Sequence, residues 1–169
     1  MALTATTYAD VIHRHIGSAS RDTIVKSFYP LASTTYVAGQ FVTIDAAGRV
    51  DNTIADDAAV DGIVFSSVDN STGAADNTNK MVSVIVKGNV FCDFLCEAAG
   101  GAYDDAFAIG TQCSAQGDSG TTAAEGQALV AVAGASNQLF TSLTIHALPA
   151  AGTELVKGLA FFKGSAKFS

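Results

Sequence analysis

Three histidines are the first places to look for chemistry. His13 and His15 flank Arg14 in a His-x-His pair, which holds a metal when both imidazoles project from one face of a strand. Here the pair lies in a segment of helical spacing with no third ligand nearby, so no metal site is expected. His146 shares a strand parity with Ser142 and Thr144 and reads as an exposed polar residue. Asp56, Asp57 and Asp61 gather around one turn, and Asp104 and Asp105 form another pair. Calcium needs several oxygens converging from one loop, and neither spacing matches such a loop. These carboxylates read as solvated turn residues. Cys92, Cys96 and Cys113 are odd in number and lack zinc spacing. Cys92 reads as a small inward-facing hydrophobe, and the chain as one made in a reducing compartment, a cytoplasm. No Gly-x-Ser-x-Gly elbow occurs, and Gly100-Gly101 is not followed by the Gly-Lys-Ser/Thr of a phosphate loop. The expectation is a protein without catalytic residues, cofactor or metal, whose work is done by a surface.

Composition agrees with that expectation. Of 169 residues, 49% are apolar and only 15% charged, with Trp absent. A low-charge chain of this kind buries surface against partners. No apolar run reaches the roughly 20 residues of a membrane helix, and no secretion signal is visible. The net charge is −7, unevenly spread. Arg14, Arg21 and Lys26 outnumber Asp10 and Asp22 at the start, and Lys157, Lys163 and Lys167 outnumber Glu154 at the end. The middle sets Arg49, Lys80 and Lys87 against 13 acidic residues. An acidic body argues against nucleic-acid binding.

Most of the positioning elements read as strands. Met81–Phe94 alternates strictly: Val82, Val84, Val86, Val90, Cys92 and Phe94 on one parity, Ser83, Lys87, Asn89 and Asp93 on the other. Gly88 marks a bulge or bend on the apolar side. Ser33–Tyr36, Phe41–Asp45, Arg49–Asn52, Gly62–Val68, Ala106–Cys113, Gln127–Ala133, Leu139–Leu148 and Leu155–Phe162 read as further strands. Ala46-Ala47-Gly48 closes a hairpin. Asp69–Lys80 reads as a mobile exposed loop with almost nothing to bury. Tyr8, Val11, Ile12, His15 and Ile16 carry helical spacing. No repeat period stands out. The expected fold is all-β: a small barrel or β-tulip, or a sandwich of short antiparallel strands, with an N-terminal arm. Residues 1–30 form the arm and 31–148 the β-domain, with a possible inserted subdomain around 97–126. Residues 149–169 form a C-terminal strand or docking tail.

The order Tyr36–Val50 (YVAGQFVTIDAAGRV), Asp61–Phe65 (DGIVF) and Val84–Val90 (VIVKGNV) resembles the capsid decoration, or cement, proteins of tailed bacteriophages. The resemblance covers about residues 30–95. It implies a β-barrel or β-tulip that assembles as a homotrimer on a virion surface, binds the major capsid protein and stabilises the shell. It implies no membrane, no nucleic-acid partner and synthesis in a host cytoplasm. On this reading Ile12, Ile16, Ile24 and Val25 are apolar anchors of the arm, and Arg14, Arg21 and Lys26 steer it. Phe161, Phe162, Lys163 and Phe168 dock the C-terminal segment on a neighbour. Deleting residues 1–27 is expected to leave a folded β-domain that no longer binds capsids. Two other readings are a tail, fibre or adhesin domain binding a host glycan, and a small β-barrel hydrolase. The scarcity of Tyr and the absence of Trp count against the glycan reading, and the hydrolase reading requires His146 or His13 to meet a serine.

Overall fold

The computed structural model describes residues 23–52, 59–96, 109–115, 129–130, 137, 139–145 and 154–168. Their regular structure is all β apart from one 3-10 turn at Thr78–Lys80. The strands are β1 (Ile24–Pro30), β2 (Thr34–Tyr36), β3 (Phe41–Ile44), β4 (Arg49–Asp51), β5 (Gly62–Val64) and β6 (Val68–Asn70). After them come β7 (Val82–Cys96), β8 (Gln112–Ala115), β9 (Leu129–Val130), β10 (Phe140–Ile145) and β11 (Glu154–Phe162).

The strands close into two barrels that share β7. In the first, neighbours run β1-β4-β3-β5-β7, and β7 pairs back onto β1. In the second they run β7-β11-β10-β8-β9, and β9 pairs back onto β7. The early half of β7 serves one barrel and the late half the other, with Gly88 between them at φ 127°. That position has no room for a side chain: an added Cβ would run into Thr23 Oγ1 and lie 2.6 Å from Thr23 Cα.

The barrels repeat each other in pairing register from Val25 onward, although no repeat period stands out in the sequence. Each contains one parallel pairing, Pro30 with Val50 and Phe94 with Leu129. Val25–Ile85, Lys26–Val84 and Phe28–Val82 correspond to Asn89–Phe161, Val90–Ala160 and Cys92–Gly158. Phe41–Ile63 and Ile63–Ile85 correspond to Gln112–Thr141 and Thr141–Phe161. Loop bonds repeat as well. Gly39 N–H donates to the Val64 carbonyl and Val64 N–H to the Gln40 carbonyl, both at 2.9 Å. Gly110 N–H donates to Ser142 and Ser142 N–H to Thr111, both at 2.8 Å. The trace left in the sequence is small: a left-handed glycine before β3 and before β8, and Lys-Gly after the last strand of each barrel (Lys87-Gly88, Lys163-Gly164).

Each barrel has its own core. Val42, Ile44, Val50, Val64, Val82, Val84 and Val86 fill the first together with Tyr36, while Phe28 and Phe168 pack against them. Val90, Cys113, Ala115, Phe140, Ala160 and Phe162 fill the second. Ile85, on the opposite face of β7 from Val84, is also fully buried, so alternation along Met81–Phe94 does not separate one buried face from one wet one. The reason is that the outer wall of the first barrel is covered by the second. Phe41, Ile63 and Ile85 form one cross-strand row on that wall and belong to the second barrel's core. Each such side chain contributes about 1.5–3 kcal/mol on full burial.

Other expectations are corrected locally. Ile24–Pro30 is not arm but the first strand of the first barrel, so deleting residues 1–27 would open that barrel. Gly62–Val68 breaks into β5 and β6 around a bend at Phe65–Ser66; β6 leaves the barrel to pair with β2. The Asp69–Lys80 loop is pinned rather than loose. Asn70, 2% exposed, donates to the carbonyls of Leu31 and Ala74 and accepts from Asn77 Nδ2. A buried amide with its bonds satisfied fixes the loop around it. At the β3–β4 turn, Asp45 accepts from the N–H groups of Ala47 and Arg49 and pairs with Arg49 Nε at 2.7 Å. The Arg49 backbone N–H is the main reason its carboxyl titrates below its ordinary value.

Candidate functional site

The distinctive surface lies at the mouth of the first barrel, where β1 enters and β7 leaves. Ile24 is 41% exposed there and stands opposite Lys87, while Val25, 40% exposed, stands opposite Ile85 and extends the outer-wall row of Phe41, Ile63 and Ile85. Lys26 and Lys87 are exposed on the same two strands. The first five residues of β1 pair with β7, while β4 reaches only Tyr29 and Pro30. The opening stretch of β1 is therefore bare of strand partners on its second side among the described residues.

The C-terminal segment returns to this mouth. After β11, Gly164 sits where a Cβ would press within 2.8 Å of the Val86 carbonyl oxygen. Phe168 packs on Phe28 with centroids 5.5 Å apart, and Lys26 Nζ lies 5.0 Å from the Phe168 ring centroid. Lys167 Nζ donates to the Ile44 carbonyl at 2.7 Å and to Asp61 Oδ2. Asp61 is 1% exposed and also accepts from Ile44 N–H at 2.8 Å. Asp61 is thus not a solvated turn carboxylate; it is a buried anchor that its sequence neighbours gave no reason to single out. The segment clasps the second barrel to the first and half-fills the first barrel's mouth.

The second barrel has the equivalent mouth, where the late half of β7 enters and β11 leaves. It is closed by the wall of the first barrel, with Phe41 against Phe140 at 5.4 Å. The second barrel's own wall carries the equivalent row, Gln112, Thr141 and Phe161, all half-buried. Gln112 bonds to Thr141 Oγ1 at 3.1 Å and accepts from Lys163 Nζ. Ile109, at the edge of this row, is 81% exposed.

The expected contact residues fall into three groups. Ile12, Arg14, Ile16 and Arg21 lie outside the described residues, as do His13, His15, His146, Asp56, Asp57, Asp104 and Asp105. Ile24 and Lys26 are at the mouth, with Phe168 beside Lys26, and Val25 lies next to them on the outer wall opposite Ile85. Phe162 is a correction: it is fully buried and stacked on Phe140 at 4.8 Å, because its parity on β11 points into the second barrel. It belongs to the core and is closed to any neighbour. Phe161 and Lys163 lie on the second barrel's wall. Cys113 is buried, and desolvation pushes its thiol up to about 12, which leaves it protonated and unreactive at neutral pH. Phe28, Lys87 and Lys167 complete the mouth and were not expected there; among them only Lys87 carried a signal, its Lys-Gly step.

The surface can hold an apolar partner against ammonium groups. No protein-family model matches this chain, and neither curated proteins nor solved structures provide a match.

Proposed function

We propose that this protein is a structural virion component that binds the outer surface of a phage capsid and stabilises the shell. One observation supports the reading above others. The segments that resemble the decoration proteins, Tyr36–Val50, Asp61–Phe65 and Val84–Val90, contain β3 and β4, β5 and the middle of β7. These are neighbours in one closed barrel, so the resemblance spans most of a folding unit. The barrel's mouth offers Ile24 and Lys26, and the wall beside it Val25, shortly after residues 1–22, the stretch read as carrying the remaining anchors. A cement works through many repeated modest contacts, so broad apolar and charged faces suit it better than a pocket. The partner is the major capsid protein, and the protein itself is the second partner, as a homotrimer.

The test is quantitative mass spectrometry of purified virions from the phage encoding this chain. A copy number comparable to the coat protein is expected; a handful of copies, or absence from the particle, refutes the reading. A chain lacking residues 1–22, which keeps β1 whole, is expected to fold and to lose capsid binding.

A further inference from the structure

On the outer wall of the first barrel, the rows next to Phe41, Ile63 and Ile85 reach water. Alternation sends Val25, Ser27 and Tyr29 of β1 outward, away from the core that Phe28 packs against. Register sets Val25 opposite Ile85 and Ser27 opposite Ser83. On the other side of β7, Phe65 N–H donates to the Ser83 carbonyl at 2.8 Å, so Phe65, Ser83 and Ser27 make the row beside the buried one. Continued by one pair, the same register brings Tyr29 level with Met81. Val25, Tyr29 and Phe65 are 40%, 37% and 39% exposed, three of the five large hydrophobic side chains exposed among the described residues. Ser27 and Ser83 between them are small, so the three stand around a shallow floor, and none of the six positions carries a charge.

On the capsid reading, on which this rests, we infer that the wall is the face the protein turns to the coat, seating an uncharged, apolar patch of the major capsid protein between Val25, Tyr29 and Phe65. Three observations favour that occupant. The row Phe41, Ile63, Ile85 is already buried against the second barrel, and Val25 carries the same row out of that interface to an exposed end. A partner seated here therefore extends a packed surface. Residues 1–22, the stretch read as holding the remaining anchors, lead into β1 through Thr23, two residues before Val25, so arm and wall reach one partner from adjoining places. The chain carries −7, and an uncharged face is where it meets another large surface with least self-imposed field. The nearest charges on this side, Asp45 and the Arg49 that pairs with Tyr29 across the strands, neutralise each other at 2.7 Å. Three side chains at about two-fifths exposure make a modest contact in one copy, and repetition over a shell turns modest contacts into firm binding.

Cosedimentation of the full chain with shells of the phage encoding it, purified from particles made without this protein, tests the assignment. Tyr29→Lys and Phe65→Lys each place an ammonium in an aromatic contact, and each is expected to raise the concentration for half-saturation about tenfold or more. Ile109→Lys, on the second barrel at a site 81% exposed, is expected to bind like the wild type. Val25→Lys replaces either wall variant whose circular dichroism shows misfolding. Sedimentation without shells reads the variants' own assembly, expected to match the wild type. Wall variants that bind as tightly as the wild type, or an Ile109→Lys loss as large as theirs, overturn the assignment. So do wall variants whose own assembly changes, which gives the wall to a second copy, and wall variants that bind more tightly, which gives it to residues 1–22. A wild type that does not bind removes the capsid reading and the assignment together; a wild type that binds beside wall variants that bind equally removes the assignment alone.

Discussion

Replacing Lys167 with alanine removes two bonds that tie the C-terminal segment to the first barrel. The Asp61 carboxylate is left 98% buried on its side chain with Ile44 N–H as its remaining described donor. Breaking a fully buried pair from one side costs about 3–5 kcal/mol. The Lys167 side chain is 56% exposed, and water screens its half of the interaction. The expected cost is therefore about 2 kcal/mol. Asp61→Ala removes the acceptor of a buried N–H and lets Lys167 return to solvent, also about 2 kcal/mol. In the double variant neither a stranded carboxylate nor a stranded ammonium remains, so the cost is about 3 kcal/mol rather than 4, a coupling of about 1 kcal/mol. Urea unfolding followed by far-UV circular dichroism, with linear extrapolation, measures all three. Additive losses within about 0.3 kcal/mol, or a Lys167→Ala variant as stable as wild type, would refute the clasp.

Three further outcomes follow from single sites. Gly88→Ala meets both φ 127° and a Cβ within 2.6 Å of the Thr23 backbone, so instead of the roughly 0.4–1 kcal/mol that an unstrained glycine-to-alanine change gains, it is expected to cost more than about 1 kcal/mol; equal stability in thermal melts would contradict the close approach. Cys113, pushed up to about 12, is expected to resist iodoacetamide in native protein from pH 7 to 9 and to react once urea unfolds the chain, read by peptide mapping. Asp45 titrates below its ordinary 3.8 because the folded state favours its ionised form. It therefore stabilises above that value and loses this contribution as pH falls through the lowered one; Asp45→Asn is expected to flatten this part of the acid limb, and an unchanged limb would remove Asp45 from it.

Much of the fold was legible. Alternation located β7, and Asp45 through Arg49 announced a hairpin, because strand period and turn chemistry are local. β1 was missed because Ile24 through Ser27 are exposed throughout, so no inside-outside pattern marks them. Asn70 was read as loop because its role depends on Leu31, nearly forty residues earlier in the chain. The repeat escaped because pairing register constrains parity and glycine positions but leaves side-chain identity free: Phe41, Ile63 and Ile85 became Gln112, Thr141 and Phe161 once one face was covered and the other was not. At the candidate site, Ile24, Val25 and Lys26 were visible as apolar and basic residues near the start of the chain. Phe162 misled because the alternation of Phe with Lys carries no information about which barrel the parity faces.

The clasp also has a consequence in time. Lys167 and Phe168 emerge from the ribosome only after all eleven described strands. The first barrel can pair its strands once β7 has been made, yet its mouth waits for a plug synthesised some eighty residues later, seconds at ordinary elongation rates of ~5–20 residues per second. During that interval Phe28 and the apolar lining beside it are uncovered on every nascent chain. A polysome crowds such chains together, and each is already able to accept another's C-terminal segment. Exchange of that segment between neighbours during synthesis is the error this architecture is most exposed to, and slowing translation over the second barrel would increase it.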